Sequence, residues 1–336
     1  MAGAAPGILL SDVAAARHGA RIRAAAPAAR LIPVPPEGPM PEAAGAEIGF
    51  VTRDLFLGGT RHRLNPRFLR FTDFLQTVPS LRWVQTFSAG TDMAVYQAML
   101  GRGLLLTNSA GASATTVAQT AIAGLLALAR QFPRVLEAQR RRAWEPLYGA
   151  AEPRAFEGQT ALVIGTGPIG QEIGRLCRAF GLRAVGVRRD PEAGLPPGFD
   201  AVAGFADLPD RLPQADWLLL ACPLTTTTRG LIDAAALARL PPGAQLVNVS
   251  RGGVVAEAAL LAALREGRLA GAFLDVFEAE PLLPDSPFWA LPNVIVSPHS
   301  AAASDGLPER VAAIFCDNLR RWLAGAPLAN LARPVA

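Results

Sequence analysis

TALVIGTGPIGQEIGRLCRAFGLRAVGVRR, residues 160–189, reads as a strand, a glycine-rich turn, a helix and a second strand. The apolar run 161–164 has no polar alternation, the pattern of a parallel strand covered on both faces, and it leads straight into Gly165, Gly167 and Gly170. These fit GxGxxG. The first glycine permits a tight turn, the second lets backbone approach a pyrophosphate, and the third lets the helix expected over 169–180 pack close to the strand. Gly181 then supplies the helix C-cap. With Pro168 and Ile169 opening the helix, free N–H groups and the dipole favour an anion at this end. Glycine-rich turns are common, but the complete strand-turn-helix-strand context points to a dinucleotide site.

At the end of the second strand a chain that binds NAD places Asp or Glu against the ribose 2′-hydroxyl. Here Arg188 and Arg189 occupy that end. A carboxylate repels a 2′-phosphate, whereas a guanidinium binds it bidentately and keeps its charge. The pair predicts a preference for NADP(H), with NAD(H) still possible. The alternative is that both arginines are simply solvated.

A chain of 336 residues with 51% hydrophobic content can bury substantial cores and suggests two domains. All 32 basic side chains are arginine, which excludes Schiff-base chemistry on lysine, a P-loop lysine and lysine-dependent hydroxyacid oxidation. The net charge of +4 is small and the arginines are spread along the chain, which argues against nucleic acid as a partner. Cys177, Cys222 and Cys316 lack CxxC spacing, so neither a disulfide framework nor a zinc site is expected and a reducing compartment is. The opening MAGAAPGILL has no basic region of a signal peptide, and the apolar stretch 115–128 falls short of the roughly 20 residues that span a bilayer. A cytoplasmic protein with no membrane partner is the expectation.

Before Asn65 the apolar segments 7–10, 30–34 and 47–51 alternate with Ala-rich or Pro-rich stretches in a βαβ-like rhythm, with 33–41 as a loop. Next come a helix at 67–76, a strand at 83–86, the turn SAGTD at 88–92, a strand at 103–106 and a long helix at 113–130. Beyond the glycine unit, the apolar runs 218–221, 245–249, 271–275 and 293–296 complete a doubly wound parallel sheet, and 309–324 forms an amphipathic helix.

His299 follows the last expected strand, in VSPHSAAAS. Arg251, in VNVSRGGVV, and Glu280, in DVFEAEPL, follow neighbouring ones. Strand ends of this kind border the ligand crevice of an open α/β sheet. Reducing a 2-oxo acid needs an anchor for the carboxylate, a proton for the developing alkoxide and a group that holds the proton donor charged, and these are the three residue types present. Arg251 can bind the carboxylate and polarise the carbonyl. Glu280 can accept a hydrogen bond from His299 and so favour the imidazolium. A loop salt bridge between Arg251 and Glu280 is the plainer alternative. Arg53, in FVTRD, is a candidate second cation in the substrate pocket or a surface residue.

SAGTD, TTVAQTAIAGLLAL, VIGTGPIG, CPLTTTTRGLI, LVNVSRGGVV, GAFLDVFEAEPL and VSPHSAAAS together resemble the D-isomer-specific 2-hydroxyacid dehydrogenases over nearly the whole chain. The resemblance implies a Rossmann cofactor domain, 108–300, inserted into a smaller flavodoxin-like α/β substrate domain, 1–107 with 301–336, and a cleft that closes on binding. It implies Arg251 and His299 as catalytic residues with Glu280 as partner of His299. Ala89 and Gly90 would offer N–H groups to the substrate carboxylate. Asp275 would lie beside the nicotinamide amide, and Thr116, Cys222, Pro223, Val249, Ser250, His299 and Ala301 would line the cofactor site. Two departures stand out: the family's common VAEHA is replaced by residues 117–120, VAQT, and the acid by Arg188 and Arg189. The second departure, with PHSAAAS and DSPFWALPNV, is similar to NADPH-dependent glyoxylate and hydroxypyruvate reductases and implies a small 2-oxo acid. Homodimers are implied as well, with Trp144 in a dimer-forming arm or else in a core. Two rivals stay open, an NAD-dependent oxidation of a D-2-hydroxy acid and a catalytically silent dinucleotide sensor of corepressor type.

Overall fold

A computed structural model describes residues 5–60, 62–149 and 152–334. The chain divides into two compact units, Met1–Ser113 with Ser304–Ala336, and Ala114–Ala303.

In the first unit, β1 (Gly7–Ser11), α1 (Asp12–Ala25), β2 (Arg30–Val34), β3 (Ala46–Val51), α2 (Pro66–Thr77), β4 (Trp83–Thr86), α3 (Ala94–Gly101) and β5 (Leu105–Thr107) follow one another. The strands form a parallel sheet in the order β2-β1-β3-β4-β5, the flavodoxin-like arrangement. The expected strand at 103–106 starts two residues later, because Gly103 sits at a φ of 80° in the turn that ends α3. Ser11 caps α1 by accepting from the Ala14 N–H at 3.0 Å, and Asn65 caps α2.

The second unit contains α4 (Ala114–Ala129), α5 (Phe132–Arg140), β6 (Thr160–Ile164), α6 (Pro168–Ala179), β7 (Arg183–Arg188), β8 (Ala201–Gly204), α7 (Leu208–Arg211) and β9 (Trp217–Leu220). It continues with α8 (Ala234–Arg239), β10 (Gln245–Asn248), α9 (Glu257–Arg265), β11 (Gly271–Leu274) and β12 (Val294–Val296). Its parallel sheet runs β12-β11-β10-β9-β6-β7-β8. The strand order reverses between β6 and β9, and in doubly wound sheets ligands bind at such a point, beyond the carboxyl ends of the strands. Sequence reading does not find β8, since its residues AVAG include only one β-branched side chain.

Both sheets are buried on two faces, which explains their unbroken apolar runs: every residue of β6 from Ala161 onward and all of β9 are buried. Gly124, inside α4, permits contact with the sheet, because a Cβ there would come within 2.3 Å of the Phe273 ring. The last helix, α10 (Leu307–Leu323), returns to the first unit. Its Phe315 stacks on Phe50 at 4.1 Å and on Trp83 at 5.4 Å, and its Glu309 meets Arg17 of α1 at 2.8 Å.

Candidate active site

The turn between β6 and α6 has the form of an anion cradle. Gly165 takes a φ of 102° and its N–H donates to Val187 C=O at 2.8 Å, which sets the turn beside the end of β7. A Cβ on Gly165 would come within 2.8 Å of Ala221 O and the Cys222 backbone, so this glycine also permits close approach of the β9 loop. Gly170 lies so close to Gly165 that a Cβ would meet its carbonyl oxygen at 1.9 Å. Gly167, by contrast, faces open space, and as N-cap of α6 it provides no side-chain acceptor for the first N–H groups. Backbone donors at the opening of a helix, with room for a ligand and no side chain in competition, suit a pyrophosphate.

Arg188 ends β7 next to this turn and Arg189 follows it, exposed. Neither has an ion pair among the described residues. Across the switch point, Cys222 and Val249 are buried, and the loop after β9 is tied by Thr228 Oγ1, which donates to Pro223 C=O at 2.6 Å. Burial pushes the Cys222 thiol up to about 12, so it is an inert lining group.

Three loops after β10, β11 and β12 carry Arg251, Glu280 and His299. His299 Nδ1 lies 2.7 Å from Glu280 Oε2, and Glu280 Oε1 accepts from the Phe277 N–H at 3.1 Å. The Glu280 side chain is 7% exposed and the His299 ring 42%, so the carboxylate sits behind a ring that faces outward. An ionised carboxylate only accepts, which places a proton on Nδ1 and leaves Nε2 for a ligand. His299 adopts a φ of 51°, a left-handed conformation that the loop must enforce.

Asp275 supplies that enforcement. It is 1% exposed; its Oδ1 accepts from Ser297 Oγ at 2.5 Å and from Ser300 N–H at 2.8 Å, and its Oδ2 from Ala301 N–H at 3.0 Å. The backbone adds His299 N–H to Asp275 C=O at 2.8 Å. The residue expected beside the nicotinamide amide thus fastens the histidine loop on both sides of the ring. Thr120, where the family's VAEHA pattern is lost, has its one hydroxyl proton within reach of both Thr116 C=O and Ala301 C=O, each at 3.1 Å, and so links α4 to the same loop.

The Arg251 loop is equally constrained. Asn248 Oδ1 accepts from the Ser250 N–H and hydroxyl at 3.0 and 2.8 Å, and Arg251 Nη1 donates to Ser250 C=O at 2.8 Å. A Cβ on Gly252 would meet Phe277 C at 1.9 Å, so the arginine loop packs on the backbone leading to Glu280. Glu257 and Glu278 adjoin this backbone. Burial pushes the Glu257 carboxyl up, and the Glu278 and Glu280 carboxylates push it further, against a hydrogen bond from the Glu278 N–H. The concentration of negative charge behind the histidine and arginine loops favours cations in front of it.

Ala89 and Gly90 lie after β4 in the first unit, Ala89 exposed, and Arg53 is half-buried after β3. The register pairs Val51 with Thr86, the last residues of β3 and β4, so Arg53 and Ser88 each lie two residues beyond the ends of adjacent strands. Asn248, Ser297 and Thr120 escape sequence reading as site residues. Their only signal is placement within two to four residues of Arg251, His299 and Thr116. Among the described residues, no group of three or more His, Cys, Asp or Glu is arranged to hold a metal ion.

Residues 122–301 match the model of the D-isomer-specific 2-hydroxyacid dehydrogenase NAD-binding domain. The chain belongs to the D-isomer-specific 2-hydroxyacid dehydrogenase family. It is therefore an oxidoreductase that binds a nicotinamide dinucleotide. Among relatives of known name, a glyoxylate reductase from Korarchaeum cryptofilum is 35% identical over 271 residues, covering 77% of this chain and 78% of that one. Glyoxylate/hydroxypyruvate reductase B from Pectobacterium carotovorum is 35% identical over 267 residues, covering 78% and 82%. Among solved structures, an NADPH-dependent glyoxylate/hydroxypyruvate reductase from Sinorhizobium meliloti, in complex with NADP and sulfate, is 27% identical with a TM-score of 0.77, covering 99% of each chain. A family member from Xanthobacter autotrophicus, in complex with NADPH and MES, is 29% identical with a TM-score of 0.77, again covering 99% of each chain.

Proposed function

We propose that this dehydrogenase uses NADPH to reduce a small 2-oxo acid such as glyoxylate or hydroxypyruvate, giving the D-2-hydroxy acid where the product is chiral. The contact that carries this reading is His299 Nδ1 to Glu280 Oε2 at 2.7 Å, with the ring exposed beyond it. The named relatives support the substrate class, and the neighbours solved with NADPH or NADP support the cofactor.

Residues 165–170 would hold the pyrophosphate, Arg188 and Arg189 the 2′-phosphate, and Thr116, Cys222, Pro223, Val249, Ser250, Asp275 and Ala301 would line the dinucleotide site. When bound, the reduced nicotinamide supplies a hydride for the substrate C2. Arg251 binds the substrate carboxylate and polarises the carbonyl; in the first unit, the Ala89 and Gly90 N–H groups are the candidate carboxylate donors that the family resemblance implies, and Arg53 is a candidate second cation. Nε2 of His299 donates its proton to the carbonyl oxygen, while Glu280 holds the ring by Nδ1. A dinucleotide sensor has no need of this acid, which disfavours the corepressor-like alternative.

A panel of 2-oxo acids assayed with NADPH and NADH tests the reading. Glyoxylate and hydroxypyruvate with NADPH should give the highest kcat/KM. Inactivity toward every 2-oxo acid, with D-2-hydroxy acids oxidised by NAD, would establish the oxidative alternative instead.

We also propose a homodimer, in a reducing cytoplasmic setting that suits three free cysteines. On α5, Phe132, Val135 and Leu136 form an i, i+3, i+4 apolar stripe that is 50, 39 and 46% exposed. Beyond α5, Trp144 is 97% and Tyr148 78% exposed, so Trp144 holds no core position in the single chain. Apolar surface on this scale marks an interaction face. Sedimentation should give a dimer for the native protein and a monomer for Leu136→Asp. Among the described residues no helix is long and apolar enough to cross a membrane.

A further inference from the structure

The turn 88–92 that presents Ala89 and Gly90 hangs from buried and half-buried polar groups of its own unit. Ser109 N–H donates to Ser88 C=O at 2.9 Å, Gln97 Nε2 to Thr91 C=O at 2.8 Å, and Ser88 Oγ to Gly90 C=O at 2.8 Å. Thr86 and Tyr96, both 0% exposed, stand behind Ser88. Thr86 Oγ1 is 3.2 Å from Ser88 Oγ and 2.5 Å from the Tyr96 hydroxyl.

Counting protons gives this chain of hydroxyls a direction. Each hydroxyl carries one proton, and a carbonyl can only accept. Ser88 commits its proton to Gly90 C=O, so the Thr86–Ser88 bond uses the Thr86 proton, and the Tyr96–Thr86 bond must use that of Tyr96. The Ser88 N–H, 3.4 Å from Thr86 Oγ1, occupies the remaining acceptor position of the threonine. The relay therefore starts at the phenol and ends at the Gly90 carbonyl. Burial pushes the phenol up to about 12, outweighing the lowering effect of its hydrogen-bonding neighbours Thr86 and Ser88, so the starting proton is present across the working pH range.

We propose that Tyr96 is a positioning residue for the substrate carboxylate, its proton fixing the direction of the relay that pins the Gly90 carbonyl. A planar trans peptide points its N–H opposite to its C=O, so pinning the Gly90 carbonyl on Ser88 turns the Thr91 N–H to the other side of the turn and limits how Ala89 and Gly90 can rotate. Phenylalanine would fill nearly the same volume and keep the edge contact with Phe68, whose ring centre lies 6.2 Å away. It would, however, leave Thr86 without its donor and free to direct its own proton elsewhere. The inference rests on the reading that the Ala89–Gly90 turn binds a 2-oxo acid carboxylate.

Tyr96→Phe, Thr86→Val and Thr86→Ser test it, read by KM and kcat for the 2-oxo acid, KM for NADPH, and calorimetric Kd for oxamate on protein saturated with NADPH. One net hydrogen bond is worth about a three- to tenfold change in binding, and Tyr96→Phe and Thr86→Val should weaken the 2-oxo acid and oxamate by that factor. In both variants kcat and the NADPH KM should stay within about twofold, and Thr86→Ser, which keeps the hydroxyl, should bind oxamate like the native protein. Native oxamate affinity in Tyr96→Phe overturns the relay alone. So does a loss shared by kcat and the NADPH KM that follows a fall in Tm, since that is the mark of a merely structural role. Failure of the native protein itself to bind oxamate overturns the functional reading together with the relay.

Discussion

His299→Ala should lower reductive kcat by about 100- to 10,000-fold, the range that a positioned general acid contributes. The geometry explains why no neighbour can substitute. Glu280 is 7% exposed and both its oxygens are engaged, one by the imidazole and one by the Phe277 N–H. Asp275 is buried under Ser297, Ser300 and Ala301 and so is a fastener rather than a proton source. The alanine variant should bind NADPH with unchanged affinity in a fluorescence titration, since the glycine cradle is built from β6 and α6. A variant that keeps half the native turnover would remove the imidazole from the mechanism.

Arg188→Asp should change the ratio of NADPH to NADH kcat/KM by about 100-fold in favour of NADH. Removing a charge-assisted bidentate contact forfeits roughly 1.5–3 kcal/mol, and a carboxylate at the same strand end adds repulsion toward the 2′-phosphate and a partner for the ribose 2′-hydroxyl. Arg188 ends β7 beside Gly165, whose N–H donates to Val187 C=O, and it has no ion pair among the described residues to dilute the change. Arg189 is exposed, and Arg189→Asp alone should have a smaller effect. Steady-state kinetics with both nucleotides measures the ratio, and an unchanged ratio would mean the two arginines are only solvated.

The parts of this molecule legible in its sequence are those whose physics is local or periodic. Unbroken apolar runs announce strands buried on two faces, and Gly165, Gly167 and Gly170 announce a turn in which a Cβ would collide with backbone or obstruct a ligand. The proximity of Glu280 and His299 was open to inference because both follow short apolar runs, and parallel strands bring their carboxyl ends to one edge. The fastenings were not legible. Asp275 to Ser297, Thr120 to Ala301 and Asn248 to Ser250 join polar residues with no periodic pattern, and the pairing exists only once the loops are folded. Tyr96 is the sharpest case: it lies between the expected turn at 88–92 and the expected strand at 103–106, in a stretch to which the sequence assigns no element, and only the contact with Thr86 at 2.5 Å gives its hydroxyl a task.

The return of α10 to the first unit has a consequence for biosynthesis. Phe50 and Trp83 stack against Phe315, and Gln85 accepts from Asn318 Nδ2 at 3.1 Å, yet α10 begins 200 residues after β5 ends. On the ribosome the sheet β1–β5 therefore waits with an aromatic face bare while the whole of 114–303 is translated, and that inserted segment can complete its own core first. The amino-terminal third thus keeps apolar aromatic surface exposed for longest, until α10 is made to cover it.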